Sequence, residues 1–336
     1  MRRNEIKHIL LSRTDSIGDV VLTLPMAGWI KQNMPGTKVS FLGKNYTRSV
    51  VSLSVNIDDF ISYDELNQLP VSGKISLLQE KKIDCVIHVF PRSDISSLMK
   101  KASVKWRIGT KNRTYHWFHC NDLVSLSRIK SDLHESQLNF KLLKPFGLDK
   151  LPDLNEMQQW FGFKNIPELD QCFKEIISDG RKNIILHPKS KGSAREWGLE
   201  NFNLLIDALP VEKYKIFISG TAEEGKWCES IFQRHPEVTD LTGKMSLDQF
   251  IAFINSVDGI VAASTGPLHI AAALGKKAVG LFSPMRPIHP GRWKPIGSHA
   301  SALCLDKVCN DCVKSGDCSC VRAIKAQEVI SAFESL

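Results

Sequence analysis

The sequence predicts an α/β protein with two similar domains, each built on a doubly wound parallel sheet. Apolar runs typical of strands alternate with helical patterns, polar or glycine-bearing loops follow several strands, and the pattern restarts after a break. The break, residues 147–182, contains two prolines and has little periodicity. We therefore expect Rossmann-like domains at 1–165 and 166–322, and a C-terminal helix at 323–336.

The first predicted strand, Lys7–Ser12, leads into the loop RTDSIGD and then into a helical pattern at Val20–Lys31, despite an internal proline. Asp15 and Asp19 therefore follow the carboxyl end of a strand, where open α/β sheets place their ligands. Two roles stay open for Asp19. Its carboxylate suits the N-terminus of the helix, and it also suits a general base directed at a substrate.

The remaining predicted elements continue the alternation in both halves. In the first half we expect strands at 38–42, 59–62, 84–89 and 105–109, and helices at 46–53, 72–81, 93–101 and 133–143. In the second half we expect strands at 183–187, 214–219, 238–241, 259–263 and 277–282, and helices at 200–209, 223–234, 246–255, 268–274 and 326–333.

Residues 100–119, KKASVKWRIGTKNRTYHWFH, interleave basic and aromatic side chains. Such a mixture can bind phosphates, sugar faces, RNA or lipid headgroups. The alternative is a solvated loop in which a few rings are partly buried. We select Lys100, Lys101 and Arg107 as candidates for binding an anionic acceptor or a membrane surface.

The strongest anion-binding pattern lies in the second half, where an apolar strand ending at Ala263 is followed by Ser264, Thr265, Gly266 and Pro267. A hydroxyl residue suits a helix N-cap, and proline suits the first helical turn. The N–H groups and the dipole at such a helix start can bind phosphate, although an ordinary strand-to-helix turn is the alternative. His269, one turn further on, can add a donor or a positive charge.

Two other loops of the second half end strands with polar residues. HPKSKGSAREW contains Ser190, Lys191 and Arg195, whose cations and hydroxyl suit a diphosphate. GTAEE contains Glu223, which can accept hydrogen bonds from ribose hydroxyls or simply begin a helix. Neither loop has the G-x-G-x-x-G pattern of dinucleotide-binding proteins, so NAD is not favoured.

Composition and charge narrow the class of protein. No apolar run reaches the ~18 residues of a membrane-spanning helix, and the N-terminus does not read as a signal peptide, so we expect a cytoplasmic protein. The formal net charge of +8 suggests an acidic partner. Cys309, Cys312, Cys318 and Cys320 can be reduced thiols or the ligands of a structural zinc ion.

With these motifs in hand, the sequence resembles glycosyltransferase family 9, the ADP-heptose:lipopolysaccharide heptosyltransferases. The resemblance covers nearly the whole chain. It is carried by DSIGDVVLTLP in the first half and, in the second, by HPKSKGSAREW, GTAEE, KMSLDQ and STGPLHIAAALGKKAVGLF in the family's order and spacing. It implies a GT-B fold, in which two Rossmann-like domains face each other across a cleft and the last helix packs back on the first domain.

The resemblance also implies roles for individual residues. Asp19 matches the catalytic base of an inverting, metal-independent transferase, and the acceptor is expected in the first domain. The residues that match donor contacts are Ser190, Lys191, Arg195, Glu223, Met245, Ser264, Thr265, Gly266 and His269. Two of them depart from the family's common pattern, because Ser264 often is Asp there and Arg195 often is Lys. These departures leave the donor sugar open.

The function implied is transfer of a heptose or similar sugar, from ADP-heptose as the expected donor, to a lipopolysaccharide core or related glycolipid. We expect no cofactor, no nucleic-acid partner, and peripheral contact with the inner face of the inner membrane. The alternatives are transfer from another nucleotide sugar, or a nucleotide-sugar epimerase or hydrolase of the same fold.

Overall fold

The computed structural model describes residues 5–128, 131–177, 179–307, 309 and 317–336. The chain divides into two compact units, residues 1–165 and residues 166–336. Among the described residues, no helix is both long enough and apolar enough to cross a bilayer.

The first unit is a parallel sheet with helices between its strands. Its strands are β1 (His8–Ser12), β2 (Lys38–Gly43), β3 (Asp59–Ser62), β4 (Cys85–His88), β5 (Trp106–Thr110) and β6 (Asp122–Val124). Its helices are α1 (Ile17–Val21), α2 (Pro25–Asn33), α3 (Arg48–Ser52), α4 (Tyr63–Gln68), α5 (Val71–Glu80), α6 (Ser93–Lys101), α7 (Thr114–His119), α8 (Glu135–Phe140) and α9 (Leu154–Gln158), with 3-10 turns at Asn45–Thr47 and Lys141–Phe146.

The second unit has the same construction. Its strands are β7 (Lys182–His187), β8 (Tyr214–Ile218), β9 (Thr239–Asp240), β10 (Gly259–Ala263), β11 (Lys277–Leu281) and β12 (Ala300–Leu303). Its helices are α10 (Gln171–Ile176), α11 (Leu199–Ala208), α12 (Ala222–Trp227), α13 (Glu229–Arg234), α14 (Leu247–Ser256), α15 (Gly266–Ala273), α16 (Pro290–Trp293), α17 (Ser319–Arg322) and α18 (Ala326–Ser335).

Both sheets have the same strand order, counted over the described residues. The first runs β3-β2-β1-β4-β5-β6, and the second runs β12-β11-β10-β7-β8-β9, which is the same order read from the other edge. All neighbouring strands are parallel. The prediction of two doubly wound parallel sheets is therefore confirmed. The order reverses between β1 and β4 and between β7 and β10, the positions at which such sheets bind ligands.

The central strands are predictable because they are buried on both faces. All five residues of β1 and all five of β10 are buried, which gives the continuous apolar runs seen in the sequence. The edge strands β6 and β12 were not predicted. Their residues are mostly only half-buried, so they lack an apolar run that would distinguish them from a loop.

The helix predicted at Val20–Lys31 is divided in the structure. Pro25 lacks the N–H that a continuing helix needs, so α1 ends at Val21 and α2 begins at the proline. The division leaves α1 as a single turn that carries Asp19 directly behind the loop that follows β1.

The C-terminal helix belongs to the second unit, and the expectation that it also packs on the first domain stays a prediction. The structure places α18 in the second unit, where it packs against α11, β11 and β12. Val329 and Phe333 lie in the apolar core of that unit. Lys277 donates a hydrogen bond from Nζ to the Phe333 carbonyl at 3.0 Å. The amphipathic pattern of this helix predicts that one face is covered, but not which surface covers it.

Gly28 on α2 provides a test of the packing in the first unit. A Cβ atom at this position would lie 2.3 Å from the Trp160 carbonyl oxygen and 2.7 Å from its Cα. Because the clash is with backbone, Gly28→Ala should lower the free energy of unfolding by about 1–3 kcal/mol. Denaturant titration of the full chain measures this change.

The matched control is Gly73 on α5, where a Cβ atom would come no closer than 3.5 Å to Pro70 Cδ. Gly73→Ala should leave stability unchanged or raise it by up to about 1 kcal/mol, because alanine reduces the entropy of the unfolded chain. Equal effects of the two substitutions would contradict the close approach of residue 160 to α2.

Candidate functional site

The carboxyl edge of the first sheet is organised by a buried arginine. Ser12 ends β1 beside His88, which ends β4, and Arg13 follows Ser12 directly. The Arg13 side chain is only 2% exposed. A buried guanidinium is costly unless its donors are paired, so its partners must be held firmly.

Two aspartates of the following loop bind this guanidinium. Asp15 accepts a forked pair of hydrogen bonds, from Arg13 Nε at 2.9 Å and from Nη2 at 3.0 Å. Asp19, in the single turn α1, accepts from Arg13 Nη2 through one carboxylate oxygen and from the Ser16 hydroxyl through the other. Ser16 is the N-cap of α1 but bonds this side chain instead of the helix backbone. Asp19 is thus oriented by two side chains and is 17% exposed.

The other side of Arg13 meets α8, far away in the sequence. Arg13 Nη1 donates to Glu135 Oε1 and to Asn139 Oδ1, both at 3.1 Å. Arg128 Nε also donates to Glu135 Oε1, at 3.0 Å, and Glu135 is fully buried. We call Arg13, Asp15, Asp19, Arg128, Glu135 and Asn139 the arginine network. It fixes the loop after β1 to α8.

The charges of the arginine network are unequal, with three carboxylates facing two guanidinium groups. Burial disfavours the Arg13 charge, but Asp15, Asp19 and Glu135 together raise its pKa well above the ordinary value. Burial also raises the pKa of Asp15 to about 6, despite the opposing effect of Arg13 and with a further increase from Asp19. The Asp15 carboxylate therefore takes up a proton at a higher pH than an ordinary aspartate does.

In the second unit, the start of α15 has the features of an anion site. Thr265 occupies the N-cap position with extended backbone, φ −126° and ψ 165°, and makes no side-chain cap. Its side chain is 6% exposed, and its Oγ1 has no hydrogen-bond partner among the described residues. Buried hydroxyls are nearly always hydrogen-bonded, so Thr265 Oγ1 is a candidate hydrogen-bond donor to a bound anion. Ser264 and Gly266 are half-buried beside it, and His269 is buried one turn later.

The loop after β7 lies beside this helix start, because β7 and β10 are neighbours and His187 pairs in register with Ala262. Glu196 holds the loop closed by accepting from the Ser190 N–H at 3.0 Å and from the Ser190 hydroxyl at 3.1 Å. Lys191 is exposed and has left-handed backbone, φ 49°, which is unusual for a residue with a side chain. Arg195 is half-buried in the same loop.

The next strands contribute the remaining predicted donor residues. Thr221 and Glu224 form a capping box at the start of α12, with Glu224 buried, so the adjacent Glu223 is left exposed. Glu223 thus has the access that a ribose contact would need. Met245 is half-buried just before α14. Thus four loops at the carboxyl edge of the second sheet, those after β7, β8, β9 and β10, carry the donor residues predicted from the sequence.

His187 and Ser219 were not predicted as part of this region. His187 is the last residue of β7, and Ser219 directly follows β8. The distance between His187 Nδ1 and Ser219 Oγ is 2.9 Å. Burial lowers the pKa of His187 to about 4, so its ring is neutral at pH 7 and adds no positive charge there. In the sequence, His187 ends the apolar run of a predicted strand, so the pattern does not distinguish it from a core residue.

The predicted acceptor residues of the first unit do not share the surroundings of Asp19. Lys100 and Lys101 end α6, which precedes β5, and Arg107 is the second residue of β5, so all three lie away from the carboxyl end of that strand. Arg107 donates from Nε to the His119 carbonyl at 2.7 Å and from Nη1 to the Val104 carbonyl. Its guanidinium is therefore bonded to the backbone through Nε and Nη1, and its role in acceptor binding stays a prediction.

The candidate metal ligands fall partly outside the described residues. Cys309, Cys318 and Cys320 are buried in the apolar core of the second unit, and Cys312 lies outside the described part of the chain. Cys318 Sγ donates to Ser283 Oγ at 3.2 Å. Within the residues that the structure describes, no group of three or more His, Cys, Asp or Glu could hold a metal ion.

No pattern in the sequence identifies the partners of Arg13. Glu135 and Asn139 are separated from it by 122 and 126 residues, and a buried acid in a predicted helix reads as a surface residue. The only usable indication is the basic residue directly after a buried strand, which suggests that acidic partners lie nearby.

Glu135 tests whether the arginine network is a single buried unit. Glu135→Ala leaves Arg13 and Arg128 without a shared carboxylate in a fully buried position. The free energy of unfolding should fall by about 3–5 kcal/mol, as expected when one partner of a buried ion pair is removed. Denaturant titration at pH 7 checks this value.

Glu65 is the matched control, because its pair with Arg48 has side chains 62% and 46% exposed. Glu65→Ala should cost no more than about 1 kcal/mol. If Glu135→Ala is as mild as this surface substitution, the network does not hold the loop in place.

Comparisons with known proteins identify the family and support the fold of this chain. The sequence profile described as glycosyltransferase family 9 (heptosyltransferase) matches residues 75–320, more than half of the chain. A lipopolysaccharide core heptosyltransferase from Haemophilus influenzae is 26% identical over 307 residues, which cover 88% of this chain and 84% of the relative.

Two crystal structures share the fold over nearly the whole chain. A family 9 glycosyl transferase from Veillonella parvula superposes with a TM-score of 0.78 at 18% identity, covering 98% of this chain and 96% of the other. The ADP-heptose lipopolysaccharide heptosyltransferase II of Escherichia coli gives 0.76 at 18% identity, covering 98% of each. The predicted α/β fold of two Rossmann-like domains, as in these two structures, is confirmed, and the family match shows that the chain is a glycosyltransferase belonging to glycosyltransferase family 9.

Proposed function

We propose that this enzyme transfers a heptose from ADP-heptose to the core of a lipopolysaccharide or to a related glycolipid, with inversion and without a metal ion. The names of the relatives support this substrate class, since one is a lipopolysaccharide core heptosyltransferase and another is named for ADP-heptose. The observation that carries the donor assignment is the uncapped start of α15, with the unpartnered hydroxyl of Thr265, beside the loop after β7.

The donor half of the proposal follows from the charge of the leaving group. A nucleoside diphosphate departs with two or more negative charges, which must be stabilised as the bond to the anomeric carbon breaks. The N–H groups at the start of α15 and the helix dipole supply fixed partial positive charge there. Lys191 and Arg195 add full charges from the neighbouring loop, and Ser190, Ser264, Gly266 and His269 line the same edge.

The nucleoside half of ADP needs contacts of a different kind. Glu223 is exposed at the start of α12, where its carboxylate can accept hydrogen bonds from ribose hydroxyls. Met245 is half-buried beside the start of α14, where an apolar side chain can pack against the base. The departures at Ser264 and Arg195 concern the sugar and the phosphates, so another nucleotide sugar is the alternative donor.

Asp19 is the proposed general base. The acceptor hydroxyl oxygen attacks the anomeric carbon, its proton passes to the Asp19 carboxylate, and the bonding electrons leave with the diphosphate oxygen. Arg13 and Ser16 hold the two oxygens of Asp19, so little reorientation is needed before the proton is transferred. The acceptor hydroxyl can take the place of the Ser16 hydroxyl at Asp19 Oδ2.

The acceptor assignment is adjusted by the geometry of the first unit. Arg107 is bonded to backbone carbonyls, and Lys100 and Lys101 precede β5, whereas Asp19 follows the end of β1. We propose that the acceptor sugar binds near Asp19 and that the two lysines contact the membrane in which the glycolipid is embedded. The enzyme then works in the cytoplasm, at the inner face of the inner membrane.

The test of the base assignment compares two aspartates bound to the same arginine. Asp19→Asn should lower kcat for transfer from ADP-heptose by roughly 10²–10⁴-fold, the usual contribution of a general base. ADP affinity should stay within a few-fold, because Asp19 is not part of the donor loops. Steady-state kinetics with a lipopolysaccharide core acceptor measures the first quantity, and calorimetry measures the second.

Asp15→Asn is the control, since Asp15 binds Arg13 through both oxygens and serves only to orient the network. We expect a loss of no more than about 10-fold, equivalent to ~1.4 kcal/mol of orientation. A larger effect at Asp15 than at Asp19 would transfer the base role to Asp15. Absence of transfer from ADP-heptose by the unmodified enzyme would refute the proposed donor.

A further inference from the structure

One flank of the first unit combines exposed aromatic rings with unpaired positive charge. The members of this flank, which we call the α7 surface, lie at the end of α6, in the loop after β5 and on α7: Lys100, Lys101, Lys111, Arg113, Trp117 and Phe118. Helices α6 and α7 pack against each other, so these residues form one continuous region.

The two rings are exposed to an unusual degree. Trp117 is 62% exposed and Phe118 is 71% exposed, the highest values among the large hydrophobic side chains that the structure describes as exposed. Two adjacent aromatic side chains left in water are unfavourable unless a partner covers them. They are held in place, since Trp117 Nε1 donates to the Lys111 carbonyl at 2.8 Å and Lys100 Nζ donates to the Phe118 carbonyl at 2.8 Å.

The charges around the rings are positive. Among the described residues, Lys101, Lys111 and Arg113 have no ion-pair partner. Lys100 uses its ammonium group on a carbonyl and so keeps its full charge. The field is felt by His119 at the end of α7, whose pKa is lowered by burial and then by Lys100 and Lys101. The partner of this surface must therefore be both anionic and able to accept aromatic rings.

A groove continues the α7 surface beyond Lys111. It has a volume of about 630 Å³ and runs beside the edge strand β6. Lys111, Lys141 and Lys144 line it together with two carboxylates, Asp122 and Asp149, and Leu123, Leu148 and Leu151 are among its apolar residues. Basic and apolar side chains thus continue along the flank, with lysines in excess of carboxylates.

We propose that the α7 surface docks on an anionic phospholipid bilayer, with Trp117 and Phe118 inserted among the headgroups and the lysines bound to phosphate. Tryptophan and phenylalanine beside lysines are the side chains that favour the boundary between headgroups and acyl chains. A soluble acidic protein would satisfy the charges but leave less reason for two protruding rings, and the bilayer is favoured over RNA because the proposed acceptor is embedded in one. The proposal rests on the proposed function, because a glycolipid acceptor lies in such a bilayer.

Docking at this flank also orients the enzyme. Lys111 follows the carboxyl end of β5, and Asp19 follows the carboxyl end of β1 in the same parallel sheet. These ends share one edge, so a bilayer in contact with Lys111 lies next to the edge that carries the proposed base. The α7 surface is thereby a positioning surface for a membrane-bound acceptor, distinct from the donor loops of the second unit.

The test is cosedimentation of the full chain with vesicles of phosphatidylcholine alone or with about 30% phosphatidylglycerol, a proportion that provides a negative surface. We expect binding to the anionic vesicles and little to the neutral ones. Lys100→Gln with Lys101→Gln should weaken binding on the order of 10-fold, from about 1 kcal/mol for each lysine. Phe118→Ser, alone and with Trp117→Ser, should weaken it similarly, from the lost burial of a ring.

Matched controls separate these effects from general changes. Val71→Ser removes a side chain that is 55% exposed on α5, and Lys164→Gln removes an exposed charge of the first unit. Both should bind anionic vesicles as the unmodified protein does. Phe118→Ser keeps the Trp117–Lys111 hydrogen bond, so it stays informative if the double variant folds poorly.

The outcomes separate this proposal from the proposed function. Vesicle binding that is absent, independent of phosphatidylglycerol, or unchanged in the α7 variants overturns the docking proposal. Transfer to a deacylated, water-soluble core acceptor should be unchanged in the α7 variants, because no bilayer is involved. If the unmodified enzyme fails to transfer to that acceptor but binds anionic vesicles as described, the proposed function fails and the docking surface stands.

Discussion

Parallel strand pairing is the constraint on which both halves of this enzyme depend. Each sheet reverses its order beside its first strand, so the loops that follow two central strands open at one edge. In the first unit that edge carries Arg13, Asp15 and Asp19. In the second it carries the start of α15 and the loop after β7. A change of register in either sheet would move apart site residues that are distant in the sequence but close together in the fold.

The two edges use opposite electrostatics. The first unit surrounds one buried guanidinium with carboxylates, which leaves an acidic loop able to take up a proton. The second unit instead leaves backbone N–H groups and cationic side chains for an anion, and the buried His187 at this edge is neutral at pH 7. The proposed proton acceptor and the proposed diphosphate site therefore belong to different domains, which suits a reaction that needs both at the same moment.

Local patterns in the sequence predict much of this arrangement, because they depend on neighbouring residues. The run Ser264–Thr265–Gly266–Pro267 after an apolar strand predicts a helix start, and the structure has one. The partners of Arg13 were not predictable, because Glu135 and Asn139 come from a helix more than 120 residues away. The surface on which α18 packs was not predictable either. An amphipathic pattern shows that one face of a helix is covered, but it does not show which part of the protein covers it. The basic segment at 100–119 was recognised by composition, but only the structure separates Arg107, bonded to carbonyls, from the exposed Trp117 and Phe118.

The most direct measurement of the central claim is a backbone amide NMR titration of the full chain with ADP. The account predicts the largest shifts at Gly266, Leu268 and His269, with accompanying shifts at Lys191 and Glu223, because the diphosphate binds the start of α15 and the nucleoside lies beside α12. Shifts confined to the groove beside β6, or the absence of any shift between residues 264 and 269 at saturating ADP, would contradict the assignment of the donor site to that helix.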